Sequence, residues 1–286
     1  METLTLATPA KINLYLRTLG RRPDSYHEIE TLFYPLPGIA DTVTVTFTDA
    51  EEIVVHCSAE GVPEDSSNLC WKAACLYRET AGIRCGMEIT LIKRIPVAAG
   101  MGGGSSDAAA VLRILQKKYG ALDSRTLSGI AARIGADVPF FLNPATAVGR
   151  GVGDELEVLS GIPEKLPVLI AAPGFPVSAA WSYRHLDHVR TDADERRLEP
   201  LLDALRSSDF RQTAEFLRND LEHAVMEKFP LNVLLKQHLE GDALRVMVSG
   251  SGPTLFAFYE SFEAREKAFP RAEQIARKYA VALLKP

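Results

Sequence analysis

Residues 96–109, PVAAGMGGGSSDAA, set four glycines, two serines and an aspartate between an apolar alternating run and a helical pattern. Glycines let backbone approach an anion closely, and a following helix start aims free N–H groups and the positive end of the helix dipole at it. That order of strand, glycines, serines and helix suits a phosphate. Two nucleotide fingerprints fail here: a P-loop needs lysine after its last glycine, where Ser105 follows Gly104, and a dinucleotide fingerprint begun at Gly100 and Gly102 needs Gly or Ala where Ser105 stands. On glycine content alone, a phosphate cradle and a structural turn fit equally. A second cluster, GRGVGDE from Gly149, matches no fingerprint and reads as a turn.

The elements that must position this loop follow from periodicity. Val43, Val45 and Phe47 in DTVTVTFTD alternate as in a half-buried strand, and Met87, Ile89 and Leu91 do so just before the loop. Leu69, Ala73, Leu76 and Tyr77 fall at helical spacing and stop at Gly82. After the loop, Ser105, Ser106 and Asp107 are N-cap residue types for a helix running to Gly120. Another helix, carrying Leu127, Ile130, Ala131 and Ile134, ends at Gly135, so Asp137 is expected in a helix-to-strand turn before VPFFL. Pro and Gly gather in LSGIPEKLP, which suggests domains at 1–160 and 161–286. The second half reads as helices, led by Leu198, Leu201, Leu202 and Leu205. Two strands joined by a glycine turn in LRVMVSGSGPTLFAFYE follow, then a charged helix broken near Pro270 and a last strand AVALL. The fold class is α+β with segregated layers.

Composition narrows the function. The chain has 286 residues, 47% of them hydrophobic, enough for a sizeable core. A formal charge of -5 and a pI near 5.8 leave no basic excess for nucleic acid or an anionic membrane. With no leader pattern and no long apolar run, the expected location is cytoplasmic. Cys57, Cys70, Cys75 and Cys85 include no C-x-x-C pair and read as reduced thiols. His185 and His188 in HLDH have a metal-like spacing, but their charged run reads as a solvated helix face.

PAKINLYL at 9–16, the glycine loop and SGSGPTLFAF at 249–258, in this order, resemble the three motifs of the GHMP kinases. Joined by SYHEIETLFYPL, SSNLCWKAA, GADVPFFL and NDLE at 219–222, they resemble the branch that phosphorylates 4-diphosphocytidyl-2-C-methyl-D-erythritol in non-mevalonate isoprenoid synthesis. The resemblance runs from residue 9 to about 258 and is weakest from about 175 to 197. Met101 stands where that branch more often has Leu, and Asp107 where Asn is frequent.

The resemblance implies a two-domain fold, with an N-terminal domain like ribosomal protein S5 domain 2 and a ferredoxin-like C-terminal domain. It implies ATP and Mg²⁺. Pro96, Val97, Ala98, Ala99, Gly100, Met101, Gly102, Gly103, Gly104, Ser105 and Ser106 would wrap the triphosphate, with Asn68 and Lys93 at the nucleoside. Lys93 reads equally as a surface charge at a strand end, and Asn68 as a plain N-cap. Asp137 would be the general base on the substrate C2 hydroxyl, with Lys11 favouring its ionised form and the developing alkoxide. Tyr26 and His27 would stack on and bond the cytosine, and Asn13 would meet the diol. Trp181 is either a second aromatic wall or a buried helix tryptophan. Ser105 or Ser106 is the candidate magnesium hydroxyl, the ligands being otherwise unspecified. Two rivals remain: another GHMP kinase of homoserine or phosphomevalonate type, and a binding protein without catalysis, against which Lys11 and Asp137 speak.

Overall fold

The computed structural model describes residues 2–186 and 196–286, so His188 lies outside the described residues. In chain order the elements are β1 Thr3–Arg21, β2 His27–Thr48, β3 Ile53–Cys57, α1 Leu69–Ala81, β4 Gly86–Ile92, α2 Gly103–Tyr119, α3 Ser124–Ile134, α4 Val138–Leu142, β5 Ala147–Arg150 and β6 Glu155–Val158. They continue with β7 Val168–Ala172, α5 Ala179–Leu186, α6 Leu198–Arg206, α7 Phe210–Phe216, β8 Arg218–Asn219, α8 Glu222–Lys228, α9 Pro230–Leu239, β9 Arg245–Val248, β10 Leu255–Phe258, α10 Phe262–Lys278 and β11 Ala282–Leu284. Two compact units form, one from Met1–Ala10, Ile39–Val97 and Gly102–Pro144, the other from Lys11–Gly38, Ala98–Met101 and Ala145–Pro286. Because β1 and β2 each contribute to both, this division by compactness is not a single cut of the chain near residue 160.

In the first unit, β4 pairs antiparallel with β2 and parallel with β3, with Ile89 opposite both Val45 and Val55. Val43, Val45 and Phe47 are buried, as their alternation requires. Helices α1 to α4 form the second layer, and α2 contributes Ala108 to Leu112, Ile114 and Leu115 to the core. Gly82 and Gly120 end α1 and α2 in left-handed conformation. Two readings are corrected. The cap of α2 is Gly102, at φ +74°, with no side-chain cap, so Ser105, Ser106 and Asp107 lie inside the first turns. VPFFL is helix α4, not strand: Pro139 sits in its first turn, where a missing N–H costs nothing, and Val138, Phe140 and Phe141 are buried.

In the second unit, β11-β7-β10-β9 form an antiparallel sheet. Its core joins Leu169, Val246, Val248, Leu255 and Ala257 to Val225 and Leu235 of α8 and α9 and Ile275 of α10. Pro270 does not break α10. Burial of Ala268, Ala272, Ile275 and Ala276 on both sides of it outweighs the lost hydrogen bond. The GRGVGDE cluster is the turn of the β5–β6 hairpin, with Gly151 and Gly153 at positive φ.

Next to β1, the short strand β8 runs parallel, with Tyr15 opposite Arg218 and Leu16 opposite Asn219. Arg218 Nε donates to Asp220 Oδ1 at 2.7 Å, and Thr18 donates to Asp220 Oδ2 from both its backbone N and its hydroxyl. Arg218 and Asp220 are both buried. Removing one partner would leave the other charge in a poorly solvated interior. Asp220→Ala is expected to destabilise the fold by about 3–5 kcal/mol in urea denaturation; a loss under about 1 kcal/mol would contradict the pair's role.

Candidate functional site

Through the glycine loop, positive φ recurs at Ala98 (+54°), Gly100 (+75°) and Gly102 (+74°). Alternation of left-handed residues with ordinary neighbours turns successive N–H groups toward one side, the arrangement of an anion-binding nest. Gly100 is also sterically obligatory, because a Cβ there would lie 2.5 Å from the carbonyl oxygen of Gly252. Lys11 N donates to Met101 O at 3.0 Å, and Thr254 N to Ala99 O at 3.4 Å, which hold the loop's middle. The loop runs into α2, whose first turn carries no side-chain cap. Ser106 is fully buried, its hydroxyl donating to Pro9 O at 2.6 Å and bonded to the Thr8 hydroxyl at 2.6 Å. Ser105 is half-buried.

Lys11 and Asn13 are neighbours on one face of β1, and both are buried. Lys11 Nζ donates to Asn13 Oδ1 at 2.8 Å and lies 5.3 Å from the Phe33 ring centroid. Asn13 Nδ2 donates to the Thr31 hydroxyl at 2.8 Å, which donates to Tyr15 O, and Asn13 N donates to Ser249 Oγ at 3.1 Å. Gly250 has φ +56°, a left-handed conformation that favours glycine, and a Cβ there would press on Asn13 Oδ1 at 3.0 Å. Asn219 Nδ2 donates to Val248 O at 2.7 Å and to Gly250 O at 2.8 Å, clamping that turn. The chain thus assembles Lys11, Asn13, Thr31, Ser249 and Asn219 into one polar network. Sequence reading named only the first two as site residues, although SGSG and NDLE were the signals that carried Ser249 and Asn219.

Tyr26 closes the turn between β1 and β2, where its N donates to Asp24 Oδ1 and its O accepts from Arg22 N. Its side chain is 62% exposed, which leaves a ring face open to a ligand. His27 stacks on Tyr183 of α5, with centroids 5.2 Å apart and planes at 22°. Trp181, two residues earlier on α5, stacks on His185 and meets Phe229 edge-on, with Lys228 Nζ 4.1 Å from its centroid. Tyr183 is therefore the aromatic against His27, a residue that the weakly matching stretch concealed. In the first unit, Asp137 is the half-buried residue preceding α4, with backbone near the helical region.

Lys93 is not a surface charge. Its side chain is 7% exposed, and its ammonium donates to Asp41 Oδ2 and, at 2.5 Å, to Asp107 Oδ2. Asp41 Oδ1 also accepts from the backbone N of Arg94 and Ile95. A Cβ at Gly103 would lie 3.3 Å from Lys93 Nζ, so the cation sits against the start of α2. Asn68 caps α1, its Oδ1 accepting from Cys70 N and its Nδ2 donating to Pro63 O. Two carboxylates share one ammonium, and the Lys93 pKa is raised although burial opposes the charge. Burial, ahead of the attraction of Lys93 and the repulsion of Asp41, lifts Asp107 to about 7. Between its ordinary value of 3.8 and about 7 the folded chain therefore holds a proton that the unfolded chain has lost. The stability this confers is present at acid pH and is lost as pH rises through about 7. Asp107→Asn should flatten the fall in denaturation free energy between pH 5 and pH 8; an unchanged slope would contradict the assignment.

Family profiles match two parts of the chain, that of the GHMP kinases N terminal domain at residues 68–144 and that of the GHMP kinases C terminal at 201–278. A 4-diphosphocytidyl-2-C-methyl-D-erythritol kinase of Pelobacter propionicus is 38% identical over 281 residues, 96% of this chain and 95% of the relative. Among solved structures, a 4-(cytidine 5'-diphospho)-2C-methyl-D-erythritol kinase superposes with a TM-score of 0.80 at 35% identity, covering 98% of this chain and 97% of the other. A homoserine kinase from Cytophaga hutchinsonii reaches a TM-score of 0.75 at 20% identity, covering 99% and 93%, and so shares the fold. By near-complete coverage at that identity, the chain belongs to the 4-diphosphocytidyl-2-C-methyl-D-erythritol kinase family of the GHMP kinases.

Proposed function

We propose that the chain transfers the γ-phosphoryl group of ATP to the C2 hydroxyl of 4-diphosphocytidyl-2-C-methyl-D-erythritol. The observation that carries the ATP half of this reading is the loop of alternating positive φ leading into a helix start without a side-chain cap. The acceptor half rests on family membership. Kinases of this kind work by positioning and electrostatics more than by covalent chemistry. In the proposed step the C2 oxygen attacks the γ-phosphorus, its proton passes to the Asp137 carboxylate, and the bond to the β-phosphate oxygen breaks to release ADP. Lys11, steered by Asn13, would offset negative charge on the developing alkoxide.

Lys93 would meet the nucleoside beside the start of α2, its position set by Asp41 and Asp107. Magnesium, when bound with ATP, would supply charge neutralisation on the phosphates. Of the two candidate hydroxyls, Ser105 suits it better, since Ser106 is already bonded to Thr8 and Pro9. For the cytosine, the exposed ring of Tyr26 and the imidazole of His27 are the contacts we assign. Tyr183 joins them as the second aromatic in place of Trp181, on the support of its stack against His27. We read the chain as acting in the cytoplasm; among the described residues no helix is long and apolar enough to cross a membrane.

Two experiments test these roles. Lys11→Ala and Asp137→Asn should each lower kcat by about two or more orders of magnitude while ATP still binds; near wild-type turnover in both would overturn the mechanism. A stacked base contributes about 1–3 kcal/mol, so Tyr183→Ala should raise the KM for the cytidine substrate by about 5- to 150-fold, with little change in the KM for ATP. Trp181→Ala should change it less. The reverse order would return the aromatic wall to Trp181.

A further inference from the structure

A group of ligand-type side chains outside the kinase machinery gathers where α5 meets α8. His223 and Glu227 are one turn apart on α8, hence on one face, and His185 reaches them from α5. Nε2 of His185 lies 2.8 Å from Glu227 Oε2, and Nδ1 of His223 lies 3.8 Å from the same oxygen. All three ligand atoms fall within 4.8 Å of one another. Bonds of about 2.0–2.2 Å to a shared tetrahedral ion put ligand atoms some 3–4 Å apart, so small rotations would bring all three into one coordination sphere.

We propose that His185, His223 and Glu227 form a binding site for a divalent d-block ion such as Zn²⁺, with water in the fourth position. Two imidazoles and one carboxylate suit Zn²⁺, Co²⁺, Ni²⁺ or Cu²⁺, whereas magnesium prefers oxygen ligands. The chemistry therefore separates this ion from the one that accompanies ATP. His185 is pre-oriented by its stack on Trp181, at 5.4 Å and 25°, which reduces the freedom lost on binding. The neighbouring cation, Lys228, is drawn over the Trp181 ring at 4.1 Å. His223 and Glu227 are exposed, so an ion has open access.

Occupancy would tie α5 to α8 through three bonds. Tyr183, on α5 two residues before His185, is the residue stacked on His27, so the ion would stabilise the helix that presents it. Trp181 gives a reporter within the site itself. The chain's other tryptophan, Trp71, lies on α1 and can be replaced by Phe to isolate the signal.

The test titrates metal-free Trp71→Phe protein with Zn²⁺ by calorimetry and with Cu²⁺ by tryptophan fluorescence. The expected result is one Zn²⁺ per chain at micromolar affinity, and quenching of Trp181 by Cu²⁺ that millimolar Mg²⁺ does not reproduce. His223→Ala and Glu227→Gln, both at exposed positions, should weaken Zn²⁺ binding at least tenfold and abolish the quenching. Absence of binding at micromolar Zn²⁺ would overturn the proposal. So would binding that both substitutions leave unchanged, which would assign the ion to other ligands such as the free cysteines.

Discussion

The contact between two glycine turns governs how the loop can sit. Gly100 approaches the carbonyl of Gly252 so closely that even a methyl group would collide with it. That approach lets Thr254 N reach Ala99 O, while Lys11 N holds Met101 O, and the loop's middle is pinned by backbone alone. Side chains play little part, which is why the stretch can be rich in glycine and still hold one shape. Left-handed backbone at Ala98, Gly100 and Gly102 then follows, and with it the direction of the N–H groups. Without the approach of Gly100 to Gly252, the loop would be the flexible turn that its composition equally allows.

Buried charge adds a second constraint. Lys93, Asp41 and Asp107 enclose an ammonium against the start of α2, where the helix dipole is also positive. A cation in that place is tolerable because two carboxylates hold it, and one of them is raised toward neutrality by burial. The result is a compensated charge cluster whose geometry is fixed by two ion pairs. In the other unit, Asn219 and Asn13 do comparable work with neutral groups. The Asn219 amide donates to Val248 O and Gly250 O, the Asn13 backbone N donates to Ser249 Oγ, and Asn13 Oδ1 accepts from Lys11 Nζ, which together fix the Ser249–Gly250 turn.

Much of this was legible in the chain, and the limits have physical causes. Alternation found β4 and the end of β2, because one face of each is buried and the period is short. It did not show β2 as 22 residues long, since Pro35, Pro37 and Gly38 punctuate the pattern. Cap chemistry pointed to Ser105, Ser106 and Asp107, whereas a positive-φ glycine started α2 earlier and turned Asp107 into a partner of Lys93. The segment VPFFL has too few residues for any period to decide between strand and helix. Motifs named Lys11 and Asn13, but Ser249 lies 236 residues from Asn13, and nothing local ties the two. Tyr183 lies in the stretch where the resemblance is weakest, and its stack on His27 is a long-range contact that no local pattern encodes.

Family membership points to a cytidine-linked polyol as the phosphoryl acceptor, and the roles proposed for the glycine loop, Lys11 and Asp137 all serve that transfer. An ADP-release assay with ATP and 4-diphosphocytidyl-2-C-methyl-D-erythritol, run beside the free polyol and homoserine, tests it most directly. ADP is expected with the cytidylyl substrate at a kcat/KM at least about a hundredfold above either alternative, in keeping with 1–3 kcal/mol from each cytosine contact. Equal or greater turnover of homoserine, or no ADP with any acceptor, would contradict it.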